Sequence, residues 1–393
     1  MADRSPGAVS VESLDLVLTS SCNLSCSYCY QTARSGSTME WETLRAALDL
    51  LLRSEKPERS LSFYGGEPLL ALPLIKRAIR YIASARPADR EIGFTITTNG
   101  LLLDRATVRF LARHGVDTTI SCDGVESAQE LRSPGSFRRL DRVLRDLGKN
   151  EPEYLRDRCQ VAMTLNSQNV EYLAESFAYL LDRGVQKVAL SALVTHDPGW
   201  HSGLIEVLAD QMAAVLTISL ERLERSGEIP FLPFRPAERN GRPITDSPPV
   251  CGAADPKSLT IDADGQVYRC VMLAESYQER PGAPSGRNLD AIRLGDLFAP
   301  DLGRRVEAFS KQAHAAEIFD NKAEKYSSYR RCRGCRYLHQ CTVCPVASCH
   351  IPDNTDPNLV PDIQCALNLV VLACRERFLK DRSHERPTQS SDL

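Results

Sequence analysis

From residue 14 onward, short apolar runs alternate with longer amphipathic segments, and this alternation predicts the architecture of the first half of the chain. Residues 14–19, 60–64, 93–98, 116–121, 160–165 and 187–193 read as strands. Apolar positions three and four apart predict helices between them, over 41–52, 74–85, 104–114, 137–147 and 170–182. Ser37 and Glu40, three apart before Trp41, read as a capping box for the first helix. Strands alternating with helices of this length imply parallel strands joined by crossovers of one hand. Six such units predict an α/β fold, a partial (β/α)6 barrel.

Beyond the sixth unit the pattern changes. Leu204, Leu208, Met212, Val215 and Leu223 mark one long amphipathic helix over 203–225, most simply core packing. Six prolines in 226–249 then predict a linker or an irregular crossing. Alternation on either side of Asp262-Ala263-Asp264-Gly265 predicts a hairpin over 259–272, ended by Cys270. The expected division is a flexible 1–13, a barrel over 14–225, a linker over 226–250, a cysteine-rich domain over 251–378 and a disordered tail over 379–393.

Composition is that of an ordinary globular protein, 42% apolar and 25% charged, and a net charge of -3 gives no case for nucleic acid or an anionic membrane as partner. No export signal and no run of eighteen apolar residues is present, which predicts a cytosolic protein. Fourteen cysteines in such a chain point to metal or redox chemistry rather than disulfides.

They cluster. Cys22, Cys26 and Cys29 stand at C-x3-C-x2-C spacing on the loop after the first strand. Short fixed spacing lets one loop wrap several corners of an iron-sulfur cube. Three thiolates hold three irons of a [4Fe-4S] cluster and leave the fourth iron open to chemistry. The loops that follow later strands carry Gly65-Gly66-Glu67, Asn99, and Ser121 with Asp123, at the strand ends where parallel barrels place function. The glycines admit a ligand close to backbone amides, and Glu67 offers a carboxylate to an ammonium group. In the second cluster, Cys332-x2-Cys335-x5-Cys341-x2-Cys344 is followed by Pro345, Cys349 and Cys365. Five residues between the pairs are too few for a zinc ribbon, and dense spacing ending in Cys-Pro favours iron-sulfur over zinc. Cys365 and Cys374, nine apart on one helical run, face opposite ways, so Cys365 is the expected ligand and Cys374 a core residue.

With an aromatic before its last cysteine, the N-terminal motif resembles that of the radical S-adenosylmethionine (radical SAM) enzymes, and the chain from about 14 to about 378 resembles those with a C-terminal SPASM domain. That family's pattern is a Cys, G-x4-C, C-x2-C-x5-C-x3-C and a last Cys. It maps on Cys251, Gly265 to Cys270, Cys332, Cys335, Cys341, Cys344 and Cys365, with x2 rather than x3 before Cys344. The resemblance implies one or two auxiliary [4Fe-4S] clusters. Cys251, Cys270 and Cys344 would serve the first, whose fourth position falls to Cys349, to a non-cysteine ligand or to none. Cys332, Cys335, Cys341 and Cys365 would serve the second.

The resemblance also implies that SAM is bound by Gly65, Gly66, Glu67, Ser121 and Asp123, with Asn99 a further candidate, and cleaved to a 5'-deoxyadenosyl radical. The auxiliary clusters would take up or relay the electron left on the substrate. A ribosomally made precursor peptide is the favoured substrate, giving a thioether or carbon-carbon crosslink or another oxidation. Twenty-one residues before Cys22 leave no room for a fused leader-binding domain, so a separate protein or the barrel would bind the leader. A flavodoxin or ferredoxin would supply electrons. Sulfatase-maturing members usually carry Asp after the cysteine aligned with Cys270, where this chain has Val271. The alternatives are a dehydrogenase or epimerase of a small metabolite and a non-catalytic iron-sulfur or zinc protein. No catalytic acid or base is identified. His196, Asp197, Trp200 and His201 read first as loop residues, Cys122 and Cys159 as core, and Arg330, Arg331, Arg333 and Arg336 as offsets to cluster charge.

Overall fold

The computed structural model of the chain describes residues 11–31, 35–85, 91–235, 238–239, 242–243, 253, 255, 257–274, 293–311 and 322–384. Six parallel strands follow one another in sheet order: β1 (Ser13–Val17), β2 (Glu58–Tyr64), β3 (Glu91–Thr98), β4 (Val116–Ser121), β5 (Cys159–Leu165) and β6 (Val188–Ala192). The crossovers are α1 (Trp41–Leu52), α2 (Leu72–Ala85), α3 (Arg105–Arg113), the trio α4 (Glu126–Arg132), α5 (Phe137–Asn150) and α6 (Pro152–Arg158), and α7 (Leu173–Asp182). This is the expected α/β partial barrel. The seven-residue helices α4 and α6 escape a periodicity reading because two turns hold too few apolar positions to show one.

Strand alternation sorts the sheet into two faces. Leu14, Leu16, Leu61, Phe63, Ile96, Ile120 and Val161 are buried, in one core with Leu44, Leu48, Ile75, Leu111 and Phe177 of the helices. The alternate positions, Asp15, Ser62, Thr95, Thr97, Thr119 and Gln160, are half-buried and polar. They line an inner face that a packed barrel would have filled with branched apolar side chains.

Past β6, α8 (Leu204–Ser226) packs on α7 and on the C-terminal helix Asp362–His384. A two-residue pair, β7 (Glu238–Arg239) with β8 (Arg242–Pro243), precedes β9 (Ser258–Ile261), β10 (Gln266–Tyr268) and β11 (Arg293–Asp296). β9 and β10 form the predicted hairpin, closed by Gly265 at φ 82° while the Asp262 carboxylate accepts from the Asp264 and Gln266 amides. The hairpin does not stand apart. β9 pairs in parallel with β1, Asp15 opposite Thr260, so barrel and cysteine-rich region share one nine-stranded sheet, β11-β10-β9-β1-β2-β3-β4-β5-β6.

Three expectations are corrected. Residues 37–40 form no capping box: Glu40 is the N-cap of α1 without a side-chain bond, and Thr38 instead bridges Thr19 while the Met39 amide donates to Leu18. The start of the proline-rich stretch is no free linker. Pro230 accepts from the Val188 amide, and Phe231 and Phe234, both at 0% exposure, form a file of rings between Phe177 and Phe378, edge-to-face up to Phe234 and stacked from Phe234 to Phe378. The C-terminal helix runs to His384, past the boundary placed at 378, because Phe378 anchors it in that aromatic file. Residues 385–393 and Cys251 lie outside the described residues. Among the described residues no helix is long and apolar enough to cross a membrane.

Phe378→Ala removes the last ring of the file and is expected to cost about 3–5 kcal/mol of stability, read as a shift in denaturation midpoint with an unchanged slope.

Candidate active site and cysteine clusters

All the strand-end loops of a parallel sheet emerge on one edge, and here they converge on residues 20–31, the cysteine loop. This loop contributes little apolar surface of its own, so hydrogen bonds from its neighbours hold it. The second loop supplies two backbone bonds, Gly66 N–H to Thr19 O (2.7 Å) and Glu67 N–H to Ser21 O (2.8 Å), while Gln31 Nε2 donates to Gly65 O (2.9 Å). The contact is tight. A Cβ at Gly66 would lie 2.3 Å from Ser21 O, and one at Gly65 would lie 2.8 Å from Thr19 O. The glycine pair therefore admits the chain's own cysteine loop, which composition alone did not suggest.

Glu67 is expected to present a carboxylate to a ligand, and the structure corrects this. The residue is at 0% exposure and its oxygens accept from the Leu69 amide (3.0 Å), the Thr98 hydroxyl (2.7 Å) and the Asn99 amide (2.7 Å). Burial raises its pKa, and these three bonds oppose the rise. Asn99, placed by them, donates its Nδ2 to Asn23 Oδ1 (2.7 Å) and lies 3.8 Å from Cys22 Sγ.

On the other side of the loop, the Tyr28 hydroxyl donates to Asp123, whose second oxygen accepts from the Thr164 amide (3.0 Å) and faces the Arg132 guanidinium at 3.4 Å. The Arg132 guanidinium also lies close enough to Cys26 for their charges to interact, and it is 5.6 Å from the Tyr28 ring centroid. Ser27 is fixed by the Leu131 and Arg132 carbonyls, and Thr195, after β6, reaches the Tyr28 carbonyl at 3.5 Å. Ser121 remains half-exposed at the end of β4. The Cys22, Cys26 and Cys29 thiols are likewise half-exposed, as thiols that face an external cube must be.

The inner face adds groups that the sequence reading passed over. Asp15 lies between Ser62 of β2 and Thr260 of β9 in register. Burial pushes its carboxyl up to about 6, and hydrogen bonds from those two hydroxyls pull it back. Tyr64, near both Asp15 and Cys270, is pushed up to about 12 by burial. A lone acid within Leu14-Asp15-Leu16-Val17-Leu18 was the visible signal for Asp15. Arg132 had none, because it ends the unpredicted α4.

In the C-terminal region, Cys332, Cys335, Cys341 and Cys365 line one recess with Arg330, whose Nη1 lies 3.4 Å from Cys335 Sγ. Arg333 and Arg336 pair instead with Glu324 and Glu376. Cys374, Cys122 and Cys159 are core residues as expected, at 6%, 1% and 1% exposure. Among the described residues no three His, Cys, Asp or Glu side chains converge as one metal ion would require; a cube spreads its ligands over separate corners. Arg269, 2% exposed, donates to the Ala253, Asp255 and Ser258 carbonyls and so ties the segment after Cys251 to Cys270. Asp197 holds Ser167, and Trp200 Nε1 donates to the Tyr329 hydroxyl (3.0 Å), which links the loop after β6 to the cysteine-rich region.

A half-barrel with three half-exposed cysteines at its open edge defines a class of iron-sulfur enzyme, and the comparisons identify it. Residues 16–189 match the Radical SAM superfamily, and the chain is a radical SAM enzyme with a cysteine-rich C-terminal region. It is 28% identical over 185 residues to an uncharacterized protein of Methanocaldococcus jannaschii, a match that spans 46% of this chain and 62% of that one. With GTP 3',8-cyclase of a Synechococcus strain it shares 26% identity over 347 residues, 80% of this chain and 94% of the cyclase. In fold it is similar to anSMEcpe with bound AdoMet and Cp18Cys peptide, at TM-score 0.72 and 16% identity over 95% of this chain and 99% of that one. It is also similar to Streptococcus suis SuiB bound to precursor peptide SuiA, at TM-score 0.54 and 16% identity over 92% and 77%.

Two outcomes follow. Glu67→Gln sets an amide NH2 against backbone N–H donors, so it is expected to cost about 1–3 kcal/mol and to lower the iron retained by the cysteine loop, measured as iron per chain. At Asp15 the folded protein keeps its proton to higher pH than the unfolded chain does. That contribution to stability is present below about pH 4 and lost as the pH rises through about 6. Asp15→Asn is therefore expected to stabilise the protein by about 1–3 kcal/mol at neutral pH and by less in acid, compared by denaturant unfolding.

Proposed function

We propose that this enzyme matures a ribosomally made precursor peptide, and that its C-terminal region is a SPASM domain holding auxiliary [4Fe-4S] clusters. The observation that carries the reading is the shared sheet. It sets the hairpin ending in Cys270 beside β1, so the cysteine-rich region borders the polar inner face where a substrate segment would lie. Fold likeness to two structures solved with bound peptides supports it.

Cys22, Cys26 and Cys29 would hold three irons of the first cluster. Once bound, that cluster and SAM supply a 5'-deoxyadenosyl radical able to abstract hydrogen from an unactivated carbon. The residues around it position and protect. Gly65 and Gly66 would meet SAM through backbone groups, Ser121 through its hydroxyl. Glu67, Asn99 and Asp123 act by fixing the loops on which those groups stand. Asp15 offers a carboxylate on the inner face that can take a proton from the substrate, a role for which a pKa near the operating pH is suited. Cys332, Cys335, Cys341 and Cys365 would hold an auxiliary cluster. The likeness to GTP 3',8-cyclase favours a small-molecule substrate as second reading.

Anaerobically reconstituted protein with SAM and dithionite is expected to form 5'-deoxyadenosine, and the triple variant Cys22→Ala, Cys26→Ala, Cys29→Ala to form none. A short peptide encoded beside the gene should then emerge with hydrogens lost, as read by mass spectrometry. Turnover of a small metabolite with every neighbouring peptide left unmodified would sink the peptide reading. Asp15→Asn should still make 5'-deoxyadenosine while product falls by about tenfold or more.

A further inference from the structure

The recess that Cys332, Cys335, Cys341 and Cys365 line is met by three cations, one from each of three nearby positions in the chain. Arg330 Nη1 donates to Cys335 Sγ at 3.4 Å, and its charge also reaches Cys332 and Cys365. Lys322 lines the recess, and its Nζ donates to Cys341 O (2.8 Å). Lys325 accepts the Cys332 amide on its carbonyl (2.9 Å), while its ammonium, at 3% exposure, donates to Pro357 O (3.3 Å). Each of the four thiols thus has a cation within reach.

A buried ammonium is tolerated only where other groups meet its charge. Burial lowers the pKa of Lys325, and negative charge on Cys332 and Asp356 opposes that. Carboxylates do less for the other cations. Glu324 and Glu376 are matched by Arg333 and Arg336. Asp356 accepts from the Tyr326 hydroxyl (2.7 Å), and Asp362, whose charge opposes the cations at Cys365, accepts from the Ser328 amide (2.9 Å). A thiolate-held cluster is negative and becomes more so on taking an electron, and its potential follows the charges and hydrogen bonds around its sulfurs. With Leu338, Val343, Leu369 and Leu372 as walls, fixed charges here act with little screening.

We propose that Lys322, Lys325 and Arg330 raise the reduction potential of the cluster held in this recess and so make it the electron acceptor of the reaction. This rests on the auxiliary-cluster reading above and deepens it. Once a hydrogen atom has been taken from a substrate carbon, closure of the remaining radical to an oxidised product releases one electron and one proton. The electron goes to the oxidised recess cluster, and the proton to a base such as Asp15. At the N-terminal loop the cation beside Cys26, Arg132, is offset by Asp123 at 3.4 Å, which suits a cluster that must give its electron away.

The test uses the full-length protein in the Cys22→Ala, Cys26→Ala, Cys29→Ala background, reconstituted anaerobically and titrated with dithionite while its EPR signals are followed. The signal altered by adding Cys335→Ala marks the recess cluster. Lys322→Met, Lys325→Met and Arg330→Gln should each keep the iron and lower the equilibrium constant for reducing that cluster about tenfold, a shift of about 59 mV to more negative potential. Lys322→Arg and Arg330→Lys keep the charge and should keep the parent potential. Arg330 is exposed, so its two variants decide the matter even where the buried Lys325→Met loses its fold. An unchanged potential in Arg330→Gln and Lys322→Met, or an equal shift in the charge-keeping variants, would overturn the proposal and leave the auxiliary cluster standing. A background protein that binds no iron would overturn the auxiliary-cluster reading itself.

Discussion

A carboxylate at 0% exposure is tolerated only if its oxygens are met by donors, and the Glu67 carboxylate meets three. Those donors come from two successive loops, and the Glu67 amide bonds to a third, through Ser21 of the cysteine loop. One buried residue thereby sets the spacing between the end of β2, the end of β3 and the segment that carries Cys22. Asp123 does the same on the far side with Tyr28, Arg132 and the Thr164 amide. Between these two acids, the cysteine loop is clamped without being filled. Its thiols keep the exposure that an external cluster needs, while backbone bonds at Ser20, Ser21, Ser27 and Cys29 fix its course.

The inner face of the half-barrel follows from the same economy. Polar side chains stand where a closed barrel would place branched apolar ones, so this face is one that can meet a polar chain or water. Asp15 and Tyr64 are groups there whose pKa burial raises, and Thr260 joins them from the cysteine-rich side of the sheet. The loops that clamp the cysteine segment and the inner wall of the half-barrel thus belong to one hydrogen-bonded lattice.

Much of this was legible in the sequence because strands and helices of this fold repeat with contrasting periods. The six strands fall within three residues of their expected bounds, and the C-x3-C-x2-C loop stands at the end of β1 as spacing implied. What failed shares a cause. Ser37 and Glu40 had the spacing of a capping box, but pairing of Thr38 with Thr19 draws that segment to the end of β1. Phe231 and Phe234 were hidden by their prolines, since breaker residues show where regular structure stops and not what the irregular segment buries. Glu67 looked like a ligand because sequence shows which groups are present and not which donors surround them.

The parallel pairing of β1 with β9 has a consequence for how such enzymes diversify. A strand paired on one side with its successor β2 and on the other with β9, from the far half of the chain, cannot lose either without exposing a raw edge beside the cysteine loop. The two halves therefore are not interchangeable cassettes on a string. Exchange of one for another lineage's counterpart must preserve the seam at β1, residue by residue in register, and variation is channelled into the loops that leave the sheet rather than into the join itself.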